Sequence, residues 1–344
     1  MYNPALRAYK NRAGRLILLF VLYFLICFGL GYATVKRYDP RLQGNNPDSA
    51  YYYEMVTGEA RQSVFWRYRV LIPGVARPVY WLARGRTGSW DPVFFSLLVA
   101  NSLFVAATSL VLVGIGRRVI GDHTIALLAA LLYLLNFAIA NFQLAGLVDS
   151  GEAFFLISVV WCLFANRWLL LPVCGVLGAL AKETFVPLSA VLGLVWWLAA
   201  RRKREARVAD LGWVVAMGAA GVATMTTVQS FVSGQMLWPW RLAVSSGSLS
   251  RLLVNFVDCL SSHELLYVFG WLLPLGAVRL GRLPRPWVLA SSAAALAALV
   301  LGASVGAHGN VSRAMFSVAG PMLSLSVAML IGKPAETNRK LADS

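Results

Sequence analysis

Charge is what this chain has least of. Only 13% of its 344 residues are Asp, Glu, Lys or Arg, against about a quarter in ordinary soluble domains. Mean hydropathy is +0.65. Those values exclude a soluble globular protein, and a hydrophobic content of 58% excludes disorder as well. Cysteine is sparse too. Cys27, Cys162, Cys174 and Cys259 form no CxxC and show no metal-ligand spacing, and three of them sit inside apolar blocks. That pattern argues against a disulfide framework and reads as buried thiols. Several motifs are missing from the sequence. It has no GxxxxGK[ST] phosphate loop, no GxSxG elbow and no HExxH helix. No arginine series runs through an apolar block, and no transporter-type repeat stands out.

Long apolar blocks are what the sequence has in quantity, and they read as transmembrane helices. They fall at about 16–34, 93–115, 124–143, 150–166, 168–181, 184–200, 209–232, 265–281, 287–306 and 314–332. The first is too long for a signal-peptide core and runs into Lys36-Arg37-Tyr38-Asp39 rather than a cleavage site, so it reads as a retained span. Two breaks set the count at about ten. The polar cluster Asp149-Ser150-Gly151-Glu152 divides one stretch. Lys182-Glu183 divides another, which would otherwise be far longer than a roughly 30 Å hydrocarbon core requires.

Charge placement tests that count. With both termini inside, the inner segments hold 18 of the 31 basic residues and only 5 of the 15 acids. This is the positive-inside pattern. Dropping either break would put the Arg201–Arg204 cluster outside. The formal charge of +16 therefore reports topology, and no nucleic-acid partner is expected. The expected architecture is all-α: one polytopic bundle over residues 1–344, with a long outer loop at 35–92 carrying interface helices and a second outer loop at 233–264.

Ten of the 15 acids then lie outside, where loops are few. Charges near membrane depth are costly and usually face a cavity or a partner. In the first loop, Asn46, Pro47 and Gly58 predict a short helix that places Asp48, Tyr51, Tyr52 and Met55 on one face, with Glu54 turned away. Its tyrosines, with Trp66, Tyr68, Tyr80 and Trp81, suit a membrane interface. Arg67 and Arg69 follow in an aromatic setting, suited to a phosphate or to lipid headgroups. Asp48 reads either as a favourable charge at a helix N-terminus or as a site carboxylate. Asp149 and Glu152 fit either a capping box or the lining of an outer cavity. Adjacent on the chain, Lys182 and Glu183 cannot simply pair with each other. Lys182 suits Asp149, Glu152 or an anionic substrate. Arg313 opens the last span as an interface anchor or a phosphate ligand. His263 and His308 are isolated and read as surface histidines.

The order and spacing of these elements resemble the GT-C class of polytopic glycosyltransferases, which use polyprenyl-phosphate-linked sugars and include protein mannosyltransferases and lipid A aminoarabinose transferases. The resemblance is carried by Asp48-Ser49-Ala50-Tyr51-Tyr52-Tyr53-Glu54-Met55-Val56-Thr57-Gly58-Glu59, then Tyr68-Arg69-Val70-Leu71-Ile72-Pro73, Leu147-Val148-Asp149, Ala181-Lys182-Glu183-Thr184 and Arg313. It implies a transferase in a bacterial inner membrane with its site facing the periplasm. A sugar would pass from the lipid phosphate to an acceptor hydroxyl on a glycan, lipid or protein, with inversion. Asp48 would be the general base. Arg69, Lys182 and Arg313 would hold the donor phosphate, and Asp149, Glu152, Glu183 and Tyr52 would contact sugar or acceptor or support those cations. A divalent ion, Mg or Mn, is a possible cofactor. Many members of the class carry an acid pair in the first loop, whereas here Ser49 follows Asp48 and the nearest second acid is Asp39. Two other readings stand beside this one. An O-antigen polymerase or ligase would lean on Arg241, Arg251 and His263 of the second loop. A flippase for lipid-linked sugar would need access from both leaflets.

Overall fold

The computed structural model describes residues 4–37, 47–58, 68–203, 205–236, 249–305 and 311–331. Every regular element among them is helical, and no strand occurs. The helices are α1 (Pro4–Arg37), α2 (Pro47–Thr57), α3 (Leu71–Ala83), α4 (Pro92–Ile120), α5 (His123–Leu134), α6 (Asp149–Phe164), α7 (Leu171–Ala181), α8 (Phe185–Arg202), α9 (Val208–Ser233), α10 (Leu249–Leu260), α11 (His263–Phe269), α12 (Leu272–Arg279), α13 (Arg285–Val305) and α14 (Val311–Ile331).

Six of these are long and apolar enough to cross a membrane: the segments Ala13–Thr34, Pro92–Ile120, Phe185–Arg202, Val208–Ser233, Arg285–Ser304 and Val311–Ile331. The bent pair at Leu252–Leu260 and His263–Phe269, angled by 48°, would make a seventh if it is one span. Helix length by itself therefore singles out fewer spans than the ten apolar blocks. Block 124–143 is α5 followed by a π-turn at Ile139–Gln143. Block 150–166 is the 16-residue α6, about 24 Å at 1.5 Å per residue and short of a full hydrocarbon core. Block 168–181 yields only the 11-residue α7 after a 3-10 turn. Block 265–281 breaks into α11 and α12 around Gly270. Within the expected second outer loop, residues Leu249–Leu260 form a further helix, α10.

Local chemistry sets the helix ends. Asp91 caps α4 by accepting from the amides of Val93 at 2.8 Å and Phe94 at 3.0 Å, with Pro92 at the first helical position. Asp122 does the same for α5. Pro47 opens α2, and Gly58 at φ +85° closes it, as expected from the sequence. The Asn46 cap lies outside the described residues.

The hub of the bundle is α14. Its residues from Val311 to Met329 are buried without a break except Met315, and it packs on α5, α6, α11, α12 and α13. At the periphery, only 17% of the most apolar stretch of α1 and of α9 is buried, as in helices facing lipid. Where helices must approach closely, small residues allow it. A Cβ at Gly175 of α7 would stand 2.3 Å from the Met217 carbonyl oxygen of α9, so only glycine fits there.

Candidate functional site

The site is assembled at the N-terminal ends of α2, α6 and α14 and the break between α7 and α8. The start of α6 is held in place first. Asn101 of α4 donates to the Leu147 carbonyl at 2.9 Å and accepts from the Ser150 hydroxyl. Gly151 then lets α6 close on its neighbours, because a Cβ there would meet Ala181 Cβ at 3.0 Å and Ile72 Cδ1 at 3.1 Å. This contact brings the last residue of α7 against the first turn of α6, and Lys182 follows immediately.

Lys182 is extended rather than helical. Its ammonium reaches Asp149 Oδ1 at 2.7 Å and Glu152 Oε2 at 3.3 Å. Glu152 also accepts from the Thr184 hydroxyl. Neither acid caps its own helix, since no side-chain cap bond is made at the start of α6. The capping-box reading therefore fails. Both carboxylates are used between helices, while still sitting where the α6 dipole favours negative charge.

Asp149 is shared. Its Oδ2 takes a charge-assisted bond from Arg313 Nη2. Arg313 Nη1 lies 3.7 Å from Asp48 Oδ2, and the guanidinium carbon sits 5.7 Å from the centroid of the Phe142 ring. Beside this cluster, Arg69 grips Glu183 with two parallel bonds, Nε to Oε2 at 2.8 Å and Nη2 to Oε1, while Nη1 donates to the Tyr52 hydroxyl at 2.6 Å. Lys182 and Glu183 thus turn to different partners, as their adjacency requires. All eight residues singled out in the sequence (Asp48, Tyr52, Arg69, Asp149, Glu152, Lys182, Glu183 and Arg313) lie in this one locality. Arg67 lies outside the described residues, as do Trp66, Asp39, Arg241 and His308, and the side chain of Arg251 is likewise outside them. His263 is exposed on α11.

Burial grades the carboxylates. Asp149 and Glu152 are closed off, at 1% and 0%, whereas the side chains of Asp48 and Glu183 keep 18% and 22% of their surface. Asp48 therefore keeps solvent access while lying 3.7 Å from Arg313. The tyrosines of α2 do more than sit at an interface. Tyr52 is fully buried against Arg69, and Tyr53 donates to Asp91 at 3.0 Å, tying α2 to the capped start of α4.

The outer members show how the field acts. Burial pushes the Tyr52 hydroxyl well above the ordinary tyrosine range, and Arg69 offsets only part of that. Burial would raise Glu183 too, but the Arg69 guanidinium outweighs it, so its carboxyl sits below the ordinary value. Lys182 is pushed down by burial and up more strongly by Asp149 and Glu152, which leaves it above the ordinary lysine value and charged.

Three members have no role in the sequence analysis, although Thr184 stands in one of its motifs. Thr184 follows the Lys-Glu pair and bonds Glu152. Glu264 accepts from Ser312 at 3.4 Å, next to Arg313. Phe142 lies under the Arg313 guanidinium, one residue from the end of the π-turn. An irregular turn of this type often marks a functional position, but nothing in the local sequence announced it. Among the described residues no three His, Cys, Asp or Glu side chains are placed to share a metal ion; Asp48 could supply a single ligand. No protein-family model matches the chain and no curated protein matches it significantly, so the chemistry of the site itself has to carry the functional reading.

Proposed function

We propose that the chain is a membrane glycosyltransferase of GT-C type that moves a sugar from a polyprenyl phosphate to an acceptor hydroxyl on the outer side of the membrane. The observation that carries this reading is the placement of Asp48, half-buried and 3.7 Å from Arg313, in one locality with Arg69 and Lys182. Residues far apart in the chain bring a reachable carboxylate beside fixed cations, which is what the chemistry asks for.

In this mechanism the Asp48 carboxylate takes the proton of the acceptor hydroxyl. The freed oxygen attacks the anomeric carbon from the side opposite the phosphate. The sugar–phosphate bond breaks, its electron pair passes to the phosphate oxygen, and the configuration inverts. A general base must lie within about 2.6–3.2 Å of the proton it removes, and the leaving phosphate needs a cation already in place. Asp48 is placed for the first need and Arg313 for the second. An arriving phosphate that exchanges for Asp48 at Arg313, 3.7 Å away, leaves the carboxylate to act as base. Asp149, Glu152, Glu183 and Tyr52 act as positioning residues that keep Arg313, Lys182 and Arg69 charged and oriented.

The test is transfer of labelled sugar from a polyprenyl-phosphate donor by membranes holding the wild-type chain or Asp48→Asn at equal abundance. Asp48→Asn is expected to lower transfer by about 10²–10⁴-fold, the usual contribution of a general base. Near-wild-type transfer by Asp48→Asn removes Asp48 from the mechanism. Counterflow of the lipid across liposomes without acceptor would instead favour a flippase.

A further inference from the structure

The opposite end of the bundle carries a second charged feature that the proposed chemistry does not use. The Ser326 hydroxyl donates to the Gly276 carbonyl, and Ser326 lies 13 residues below Arg313 on α14, about 20 Å at 1.5 Å per residue. The turn that follows Gly276, from α12 into α13, is therefore at the other membrane face. It holds Arg279, Arg282 and Arg285 within seven residues.

Three observations set this turn apart from a general basic surface. None of its guanidiniums makes an ion pair or side-chain hydrogen bond among the described residues. Arg279 Nε is buried with no hydrogen-bond partner there, a cost that a ligand acceptor would remove. Arg285 opens α13, where the helix dipole is already positive and a cation is unfavourable. Among the described acids on this face, Asp122 caps α5, Asp210 accepts from the Arg207 amide at the start of α9, and the exposed Glu205 makes no ion pair with the three arginines. The turn is also rigid. Leu283 and Trp287 are buried, and Trp287 meets Phe164 edge to face at 5.4 Å between centroids.

The geometry points to a binding site for the phosphodiester headgroup of an anionic phospholipid at Arg279, Arg282 and Arg285. Guanidinium forks match phosphate oxygens in pairs, and basic pockets between membrane helices are suited to such headgroups. The neighbouring surface argues for a lipid rather than a free phosphate ion. Leu275 and Val278 of α12 and Leu289 of α13 are 42%, 63% and 51% exposed beside the turn, offering an apolar track for an acyl chain.

The experiment is native mass spectrometry of the full chain in detergent, titrated with phosphatidylglycerol or with phosphatidylcholine of equal chain length. One phosphatidylglycerol is expected to stay bound in preference. The Arg279→Gln, Arg282→Gln, Arg285→Gln variant is expected to lower its retention by about 10- to 100-fold, while Arg117→Gln with Arg118→Gln leaves it unchanged. Should the triple variant fail to fold, Arg282→Gln with Arg285→Gln alters only exposed side chains and is expected to lower retention by about tenfold. Equal retention of both lipids overturns the proposal, as does retention unchanged by the variants or lowered equally by the Arg117 and Arg118 pair. Displacement by an equal concentration of inorganic phosphate would overturn the lipid assignment in favour of a free-ion site.

Discussion

The two ends of this bundle both concentrate charge, and they handle it in opposite ways. At the end built by α2, α6 and α14, Arg69, Lys182 and Arg313 each meet a carboxylate, and the three side chains are only 6–7% exposed. At the far end, Arg282 and Arg285 are exposed and unpaired among the described residues. The difference follows from water. A buried cation loses its hydration and needs a fixed counter-charge, whereas a cation at the surface keeps its hydration and costs little. A paired cluster at depth is thus a device for holding groups in position more than for adding stability, because desolvation consumes most of the Coulomb gain.

Single substitutions sharpen that contrast. The largest effect belongs to Asp149, the carboxylate held between Lys182 and Arg313. Asp149→Asn removes a charge on which two buried cations depend, and the expected loss is about 3–5 kcal/mol. Thermal unfolding in detergent would show it as a large fall in Tm; an unchanged Tm would mean that the cluster is hydrated.

A smaller effect follows from pH. The Glu183 carboxyl is held below its ordinary value of 4.5 by Arg69 despite burial. A group with a lowered folded pKa contributes stability that is present above the unfolded value and lost as pH falls through the folded one. Stability should therefore decline as pH drops below about 4.5, and Glu183→Gln should flatten that part of the profile. Equal slopes for the two proteins in that range would remove Glu183 as the cause.

The smallest effect is expected at the far end. Arg282→Gln should change stability by no more than about 0.5 kcal/mol, as surface substitutions usually do. A drop as large as that of Asp149→Asn would erase the distinction between the two ends.

Much of this was legible before the fold was known, but unevenly. The helix over Pro47–Thr57 followed from a proline at its start and a glycine at its end, both local signals. The separation of Lys182 from Glu183 followed from adjacency alone. Of the two readings open for Asp149 and Glu152, the capping box fails, because its spacing says nothing about a lysine 33 residues away that competes for the same oxygens. Nor could apolar blocks by themselves tell a full span from a broken one. Block 265–281 has the composition of a span, yet it divides at Gly270 and Trp271 into two short helices.

What the sequence determined alone is the solvent this chain is built for and the places where its helices start and stop. Hydropathy and capping are properties of neighbouring residues and need no partner from elsewhere. Only the tertiary structure decided which charges meet. Arg313 finds Asp149 across 164 positions of the chain, and such a pairing depends on how closely α6, α7 and α14 approach. That approach is set by packing at residues such as Gly151, where a single methyl group would stand about 3 Å from two neighbouring side chains.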